Sequence, residues 1–212
     1  LETVSVSGIE RRRLTYVADD GDRVPAYLLV PEGSEGRAPA MLCLHQTTAV
    51  GKAEPAGLGG KPNLRYGLEL AERGYVTLMP DYPGFGDNEF DPYQNGYAST
   101  TMKGIWNHMR AVDLLEELRE VDGERIGCIG HSLGGHNTLF VGAFDERLRV
   151  MVSSCGFTAF PKYEGGDLTH WGNGPYMPWV TERYGADPAR MPFDFPDLIA
   201  SLGPRGLLVS AP

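Results

Sequence analysis

The chain has 212 residues, of which 42% are hydrophobic, and a formal net charge of -9. This size and composition are typical of one domain with a buried core, and the acidic balance argues against nucleic acids and anionic membranes as main partners. No apolar run approaches the roughly 20 residues that a membrane-spanning helix needs. The polar N-terminal residues 1–13 do not resemble a signal peptide, so a cytoplasmic location is expected.

Two β-rich runs near the N-terminus, residues 12–18 and 23–30, flank the turn sequence Asp19-Asp20-Gly21-Asp22, which predicts a β-hairpin. Five later runs are short and almost wholly apolar, a pattern typical of strands buried on both faces of a parallel sheet. These strands are predicted at residues 39–45, 75–79, 125–129, 148–152 and 206–210. Helices are predicted between them at residues 63–73, 101–121, 133–143 and 197–202. The first of these helices is predicted to begin at the N-cap Asn63 and to stop at Gly74.

Strands that alternate with helices predict βαβ units, and therefore an α/β fold with a doubly wound, mostly parallel sheet. Seven strands are predicted, two in the hairpin and five in the parallel part. We interpret residues 1–212 as a single domain with an aromatic-rich, cap-like insertion at residues 157–196, between the last two strands. Ligands bind such sheets at the carboxyl ends of the strands, so chemistry is expected at His45, Asp81, Ser132 and Cys155, and just past Ser210.

The sequence Gly130-His131-Ser132-Leu133-Gly134 matches the G-x-S-x-G pattern, and it follows a predicted buried strand and opens a predicted helix. A nucleophilic serine on so tight a turn needs small neighbours, which Gly130 and Gly134 supply. The helix N-terminus directs its dipole at the place where negative charge develops during acyl transfer. Ser132 is therefore predicted to be a catalytic nucleophile; the alternative is an ordinary serine in a glycine-rich turn.

Acyl transfer also needs two backbone donors for the oxyanion. One is the N–H of the residue after the nucleophile, here Leu133, and the other comes from the loop after the strand that ends at His45. Gln46 and Thr47 begin that loop, so either N–H is a candidate for the second donor.

The order of these motifs along nearly the whole chain resembles the dienelactone hydrolase and acetyl xylan esterase branch of the α/β-hydrolases, to which the prolyl oligopeptidase catalytic domain is closely related. The residues that carry the resemblance are Leu42-Cys43-Leu44-His45, Asp81-Tyr82-Pro83-Gly84-Phe85-Gly86, Asp122 with Arg125-Ile126-Gly127, and Gly130-His131-Ser132-Leu133-Gly134-Gly135. The resemblance implies an α/β-hydrolase fold, a donor role for Thr47, and a role for Asp81 in shaping the loop near the oxyanion hole. The sequence departs from the family at Gln46, where glycine is usual, and this substitution keeps Gln46 open as a donor.

A catalytic serine needs a histidine base and an acid that orients it. The resemblance implies that the acid follows the strand ending near Ser210 and that the histidine follows one further strand, so both are expected beyond Pro212. Among the five histidines, His170 is the only internal candidate base; the others are interpreted as structural or variable positions, namely His45, His108, His131 and His136. None of the later aspartates ends a predicted strand, namely Asp145, Asp167, Asp187, Asp194 and Asp197. We therefore expect a truncated, inactive hydrolase chain with an exposed apolar sheet edge.

Nine aromatic residues fall within residues 157–195, and aromatic walls are typical of small-molecule pockets. Trp171, Tyr176 and Trp179 are predicted to bind substrate; the alternative is that the aromatic residues only form the core of the insertion. A candidate second wall consists of Phe85, Phe90, Tyr93 and Tyr97.

The sequence lacks metal-binding and nucleotide-binding motifs, so no cofactor and no catalytic metal are expected. The three cysteines, Cys43, Cys128 and Cys155, lie in apolar runs and are expected to be buried free thiols. The favoured function is hydrolysis of a small-molecule carboxylic ester through an acyl-enzyme on Ser132. Two alternatives stay open: a peptidase of the prolyl oligopeptidase type, and a non-catalytic α/β-hydrolase-fold module that binds a ligand or partner.

Overall fold

The computed structural model describes residues 2–33 and 36–211, which form one eight-stranded mixed sheet flanked by helices. The strands are β1 (Glu2–Val6), β2 (Ile9–Asp19), β3 (Asp22–Pro31), β4 (Ala38–Leu44), β5 (Val76–Pro80), β6 (Val121–His131), β7 (Leu148–Ser154) and β8 (Gly206–Ser210). The α-helices are α1 (Tyr66–Ala71), α2 (Thr100–Glu117), α3 (Leu133–Phe144), α4 (Trp179–Glu182) and α5 (Phe195–Ser201). None of the described helices is long and apolar enough to cross a membrane.

The strand order is β1-β2-β3-β5-β4-β6-β7-β8. Strands β1 to β3 and the pair β3/β5 are antiparallel, whereas β5, β4, β6, β7 and β8 run parallel. The predicted α/β fold with a doubly wound, mostly parallel sheet and an N-terminal hairpin is confirmed. The predicted number of seven strands is wrong, because β1 adds an antiparallel strand beside β2. All five side chains of β1 are exposed, so this strand carries no alternating apolar pattern that could have revealed it.

Two helix boundaries differ from their predictions for local reasons. Asn63 is not an N-cap, because Pro62 starts a separate 3-10 turn and α1 begins only after Arg65, without a side-chain cap. Helix α2 ends at Glu117, and the chain is already extended at Leu118. Val121, predicted as the last residue of that helix, instead starts β6, where it is buried and pairs with Ala38 of β4.

Helices cover both faces of the sheet, and the side chains of β4 pack alternately against the helices on the two faces. Leu42 and Leu44 pack on the face covered by α2 and α3, whereas Met41 and Cys43 pack on the face covered by α1. Burying a leucine side chain stabilises a fold by about 1.5–3 kcal/mol. The strand is apolar throughout because both of its faces are buried, as the uninterrupted run in the sequence indicated.

The carboxyl ends of the last three strands lie level with one another. His131 of β6 pairs with Ser154 of β7, and Ser154 pairs with Ser210 of β8. Strand β8 is the last strand of the described sheet, and its Leu208 and Val209 are 59% and 43% exposed. Residues 206–210 form a strand, but their predicted burial on both faces is wrong: four of the five residues are exposed, because β8 is an edge strand of the described sheet. The expected exposed apolar edge is therefore present at β8. The carboxyl end of β8 lies at the same end of the sheet as the G-x-S-x-G motif.

Residues 157–196 connect β7 to β8 through short helical turns, α4 and the start of α5. Phe160, Trp171 and Phe195 are buried there and contact one another, with ring centroids 5.3 to 6.5 Å apart. The rings of His136 and Phe140 on α3 pack against the same cluster. This aromatic cluster therefore fixes the connecting segment over the N-terminal half of α3, beside Ser132.

Candidate active site

Ser132 occupies a strained turn between β6 and α3. Its backbone has φ 53° and ψ -117°, in the left-handed half of conformational space that residues other than glycine rarely adopt. Two backbone hydrogen bonds hold it there: the Ser132 N–H donates to the Ser154 carbonyl at 2.8 Å, and the Ser132 carbonyl accepts from the His136 N–H at 2.9 Å. Strain of this kind persists only where the surroundings enforce it, and it concentrates at functional sites.

The glycines around Ser132 are required by close backbone contacts. A Cβ built on Gly130 would lie 2.2 Å from the carbonyl carbon of Gly134, and a Cβ on Gly134 would lie 1.9 Å from the Leu44 carbonyl oxygen. A Cβ on Gly135 would lie 2.8 Å from the Ser154 carbonyl oxygen. The helix can therefore start directly against the ends of β4 and β7 only because these three positions have no side chain.

The first N–H groups of a helix have no acceptor within the helix, and Leu133 is the first residue of α3. Its N–H is thus available beside Ser132. Thr47 is exposed in the loop after β4, and within the described ranges its N–H donates to no other group. A hydrogen bond from Thr47 opposes the rise in the pKa of Tyr176 that burial causes, so Thr47 and Tyr176 are neighbours.

His45 supports the loop that carries Thr47. Its Nδ1–H donates to the Gln46 carbonyl at 2.6 Å, and its Nε2 accepts from the Tyr82 N–H at 3.0 Å. The backbone N–H can only donate, so Nε2 is the acceptor and the proton resides on Nδ1. Burial lowers the pKa of His45, which keeps the imidazole neutral. Both ring nitrogens are occupied, so His45 is a structural residue and not a base.

A buried ion pair fixes the far end of the same loop. Lys52 Nζ lies 2.5 Å from Asp81 Oδ2 and 2.6 Å from Asp87 Oδ2, and the Lys52 N–H donates to Asp81 Oδ1 at 2.7 Å. A Cβ on Gly51 would lie 2.1 Å from the same Oδ1 atom. Asp81 therefore holds the loop after β4 from the end of β5, which is the role that the resemblance implies for it.

Ser132 lines a cavity of about 150 Å³. The other residues of its wall come from α3, the end of β7 and the segment before β8: His136, Cys155, Gly156, Phe157, Thr158, Tyr163, His170, Trp171 and Tyr176. Two of the three predicted substrate-binding residues, Trp171 and Tyr176, share this cavity with Ser132. The third, Trp179, does not: its ring packs against Arg183 and lines a different hollow beside Met102.

The predicted second wall also lies away from this cavity. Phe85, Phe90 and Tyr93 line a separate hollow, and Tyr97 lines an apolar groove along α2. Aromatic enrichment alone could not distinguish these surfaces, because adjacency to Ser132 depends on how α2 and the 157–196 segment pack.

Both His136 and Cys155 line the Ser132 cavity. The sequence predicts a position for Cys155 at the catalytic end of a strand, but only a structural role for His136. His136 lies one helical turn after Ser132, and burial lowers its pKa to about 3, so it is neutral. Cys155 contradicts its prediction as a buried thiol: it is exposed, because it lies just past the end of β7, where its backbone turns to φ 52°. Cys43 and Cys128 are buried, as predicted. The sequence signal for His136 was its spacing of four residues from Ser132 on a predicted helix, and the signal for Cys155 was its position at the end of a predicted strand.

Among the described histidines, His170 is the one in the cavity that is exposed and comes from outside α3. His131 is instead paired with the Ser154 hydroxyl at 3.0 Å, and burial lowers the pKa of His108 to about 3.

Each later aspartate in the described ranges serves a local structural role. Asp145 pairs with Arg147, and the others accept backbone N–H groups at turns or helix starts: Asp167, Asp187, Asp194 and Asp197. No aspartate or glutamate lines the cavity, so a complete triad is not present in residues 2–33 and 36–211.

No group of three or more metal-ligating side chains occurs in the described ranges, and the expectation of no cofactor and no metal stays a prediction.

Comparison with known proteins identifies the family. The family model of the prolyl oligopeptidase family matches residues 63–192. The chain belongs to the prolyl oligopeptidase family. Its fold places it in the α/β-hydrolase superfamily, as the sequence resemblance indicated. The matched range runs from α1 to the segment before β8. It includes Ser132 and all the residues that line its cavity.

This prolyl oligopeptidase family member is similar to proteins named as hydrolases and as esterases. The 2,6-dihydropseudooxynicotine hydrolase of Paenarthrobacter nicotinovorans is 30% identical over 155 residues, which are 72% of this chain and 35% of that protein. An acetyl xylan esterase from Paenibacillus sp. R4 superposes with a TM-score of 0.66 at 18% identity, covering 99% of this chain and 80% of the other. A glucuronoyl esterase from Solibacter usitatus superposes with a TM-score of 0.67 at 20% identity, covering 95% and 63%. At these identities the structural likeness establishes the fold alone.

The chain spans less than half the length of the 2,6-dihydropseudooxynicotine hydrolase and of three other curated relatives, with shares from 14% to 48% of each protein.

Proposed function

We propose that this protein is a serine hydrolase that cleaves carboxylic esters through an acyl-enzyme on Ser132. The observation that carries the proposal is the strained backbone of Ser132, φ 53°, at the start of α3 and in the wall of a 150 Å³ cavity. A left-handed backbone has no use for a serine that serves only as a helix cap. For a nucleophile, this backbone exposes the hydroxyl above the sheet and places it at the helix N-terminus, where the helix dipole favours negative charge.

In the reaction, Ser132 Oγ attacks the ester carbonyl carbon while its proton passes to a histidine. The carbonyl oxygen becomes an oxyanion, which accepts hydrogen bonds from the Leu133 N–H and from the loop after β4. The alcohol leaves with the proton that the histidine returns, and Ser132 holds the acyl group. Water then attacks the acyl-enzyme and loses its proton to the same histidine. The bond to Ser132 Oγ breaks, the histidine returns the proton to that oxygen, and the acid is released. The mechanism needs neither a metal nor a cofactor.

We propose that the histidine base and its orienting acid are supplied by residues that follow β8 in the gene product. The register supports this placement, since Ser210 lies level with Ser154 and His131 at the sheet edge that carries Ser132. Within the described chain, His170 is the imidazole that shares the cavity with Ser132, and it is the alternative base.

The cavity limits the group that binds beside Ser132 to a small one. A volume of about 150 Å³ accommodates only a few non-hydrogen atoms, and its wall combines aromatic rings with hydroxyl groups. We therefore propose a small-molecule ester as the substrate. The names of the acetyl xylan esterase and the glucuronoyl esterase describe ester hydrolysis on the same fold, which supports an ester over other bonds.

A peptidase is the second candidate, and the match to the prolyl oligopeptidase family favours it. Ester and peptide hydrolysis use the same serine and the same oxyanion donors, so the bond must be distinguished by experiment. The test compares 4-nitrophenyl acetate with aminoacyl and prolyl 4-nitroanilides, on the full gene product and its Ser132→Ala variant. Ester turnover that Ser132→Ala abolishes, without anilide turnover, supports the esterase. Anilide turnover at comparable kcat/KM makes the protein a peptidase, and no Ser132-dependent turnover of either favours a binding module.

A further inference from the structure

We propose that Gln46 and Glu54 are positioning residues that orient the Thr47 N–H as the second oxyanion donor; this proposal rests on the proposed serine hydrolase function. It assigns the donor that the sequence left open between Gln46 and Thr47.

The side chain of Gln46 is tied to a buried carboxylate. Gln46 Nε2 donates to Glu54 Oε1 at 3.1 Å, and the Lys61 N–H donates to the same oxygen at 2.9 Å. Glu54 is only 2% exposed, and a Cβ on Gly60 would lie 2.4 Å from its Oε1 atom. The loop between Gln46 and Lys61 thus closes around Glu54, and Gln46 is the residue that links this closed loop to the end of β4.

The backbone of Gln46 is fixed from the opposite direction. The Gln46 carbonyl accepts the His45 Nδ1–H at 2.6 Å. The peptide between Gln46 and Thr47 is trans, so its carbonyl and its N–H point to opposite sides. With the carbonyl held by the His45 ring and the side chain held by Glu54, the direction of the Thr47 N–H is determined.

The Gln46 N–H is a less suitable oxyanion donor because of the direction of the peptide that contains it. The His45 carbonyl oxygen lies 2.9 Å from the position of a Cβ on Gly134, so this carbonyl faces the start of α3. The Gln46 N–H belongs to the same trans peptide and points away from α3 and from Leu133. Thr47 in contrast neighbours Tyr176, whose ring lines the cavity that contains Ser132.

The test changes the Gln46 side chain in the full gene product. Gln46→Glu replaces the Nε2 donor with a second carboxylate facing Glu54, whose Oε1 atom also accepts the Lys61 N–H. Loss of one oxyanion donor lowers kcat by about 10²–10³-fold, and a misdirected donor should lower it by about 10-fold or more. We expect Gln46→Glu to lower kcat for 4-nitrophenyl acetate at unchanged KM.

Gln46→Ala is the second variant, for the case in which Gln46→Glu does not fold, and it should show the same loss of kcat without the repulsion. Gln94→Glu, an exposed change of the same chemistry outside the cavity, is the control and should match the wild type. Wild-type kcat in Gln46→Ala, or in a folded Gln46→Glu variant, would overturn the positioning role. Absence of Ser132-dependent turnover in the wild type itself would instead overturn the proposed function.

Discussion

Gly134 and Leu44 approach so closely that a Cβ on Gly134 would lie 1.9 Å from the Leu44 carbonyl oxygen. This contact joins the start of α3 to the end of β4, and thereby the turn that carries Ser132 to the loop that carries Thr47. A backbone contact therefore sets how closely the two halves of the proposed oxyanion hole approach, whereas the side chains of His45, Gln46 and Glu54 are proposed to set the direction of the Thr47 N–H.

The first prediction concerns this contact. Gly134→Ala should lower the free energy of unfolding by several kcal/mol or prevent folding, because backbone atoms cannot move away as a flexible side chain could. Gly123→Ala is the matched control, since its Cβ would lie 3.7 Å from Glu116 Cγ, an ordinary contact. Urea unfolding of both variants is the measurement. Equal stability of the two would contradict the close approach.

The strained backbone of Ser132 gives a second prediction. A residue with φ 53° costs of order 1–3 kcal/mol unless it is glycine. Ser132→Gly should therefore be more stable than Ser132→Ala by about 1 kcal/mol, although neither can form an acyl-enzyme. Thermal and urea unfolding of the two variants test this order. If Ser132→Ala proves the more stable variant, the turn is not strained.

Stability should depend on pH through buried neutral histidines. Burial lowers the pKa of His108 and of His136 to about 3, whereas an unfolded histidine titrates near 6.5. Between these values the unfolded chain binds protons that the folded chain does not, so stability is fully present above pH 6.5 and falls as the pH falls toward 3. Each histidine contributes a slope of about 1.4 kcal/mol per pH unit within this window.

His108→Phe isolates one of these contributions, because it keeps a ring beside Tyr82 and removes the titrating group. The slope of the unfolding free energy against pH between 6 and 4 should decrease by about 1.4 kcal/mol per pH unit. An unchanged slope would show that His108 is protonated in the folded protein.

Cysteine reactivity provides a fourth prediction. Burial raises the pKa of Cys43 and of Cys128, the latter to about 12, whereas Cys155 is exposed in the Ser132 cavity. The thiolate is the reactive form, so a maleimide should modify only Cys155 in the folded protein, and the adduct should block access to Ser132. Mass spectrometry locates the adduct, and Cys155→Ser is the control. Modification of Cys43 before Cys155 would contradict the described packing.

The sequence predicted those features that local chemistry determines. Apolar runs such as residues 75–79 indicate buried strands, and the glycines at 130 and 134 indicate a tight turn around Ser132, because both signals lie within a few residues. The strand Glu2–Val6 escaped prediction because it is held by pairing with β2 and not by burial of its own side chains.

The cavity wall was less predictable, since it depends on contacts between distant segments. Trp171 and Trp179 are eight positions apart in equally aromatic sequence, yet only Trp171 packs against His136 beside Ser132. The proposed choice of Thr47 over Gln46 rests on the direction of a peptide whose neighbours contact the His45 ring and Glu54. Neither contact has a signal in residue spacing.

The most direct test of the central proposal is covalent trapping of the nucleophile. The full gene product is treated with a fluorophosphonate probe, with and without prior exposure to a short-chain ester, and the labelled peptide is identified by mass spectrometry. The account predicts one adduct on Ser132, slowed by the ester and absent in Ser132→Ala. A folded protein that stays unlabelled at Ser132, or that is labelled equally in Ser132→Ala, would contradict it.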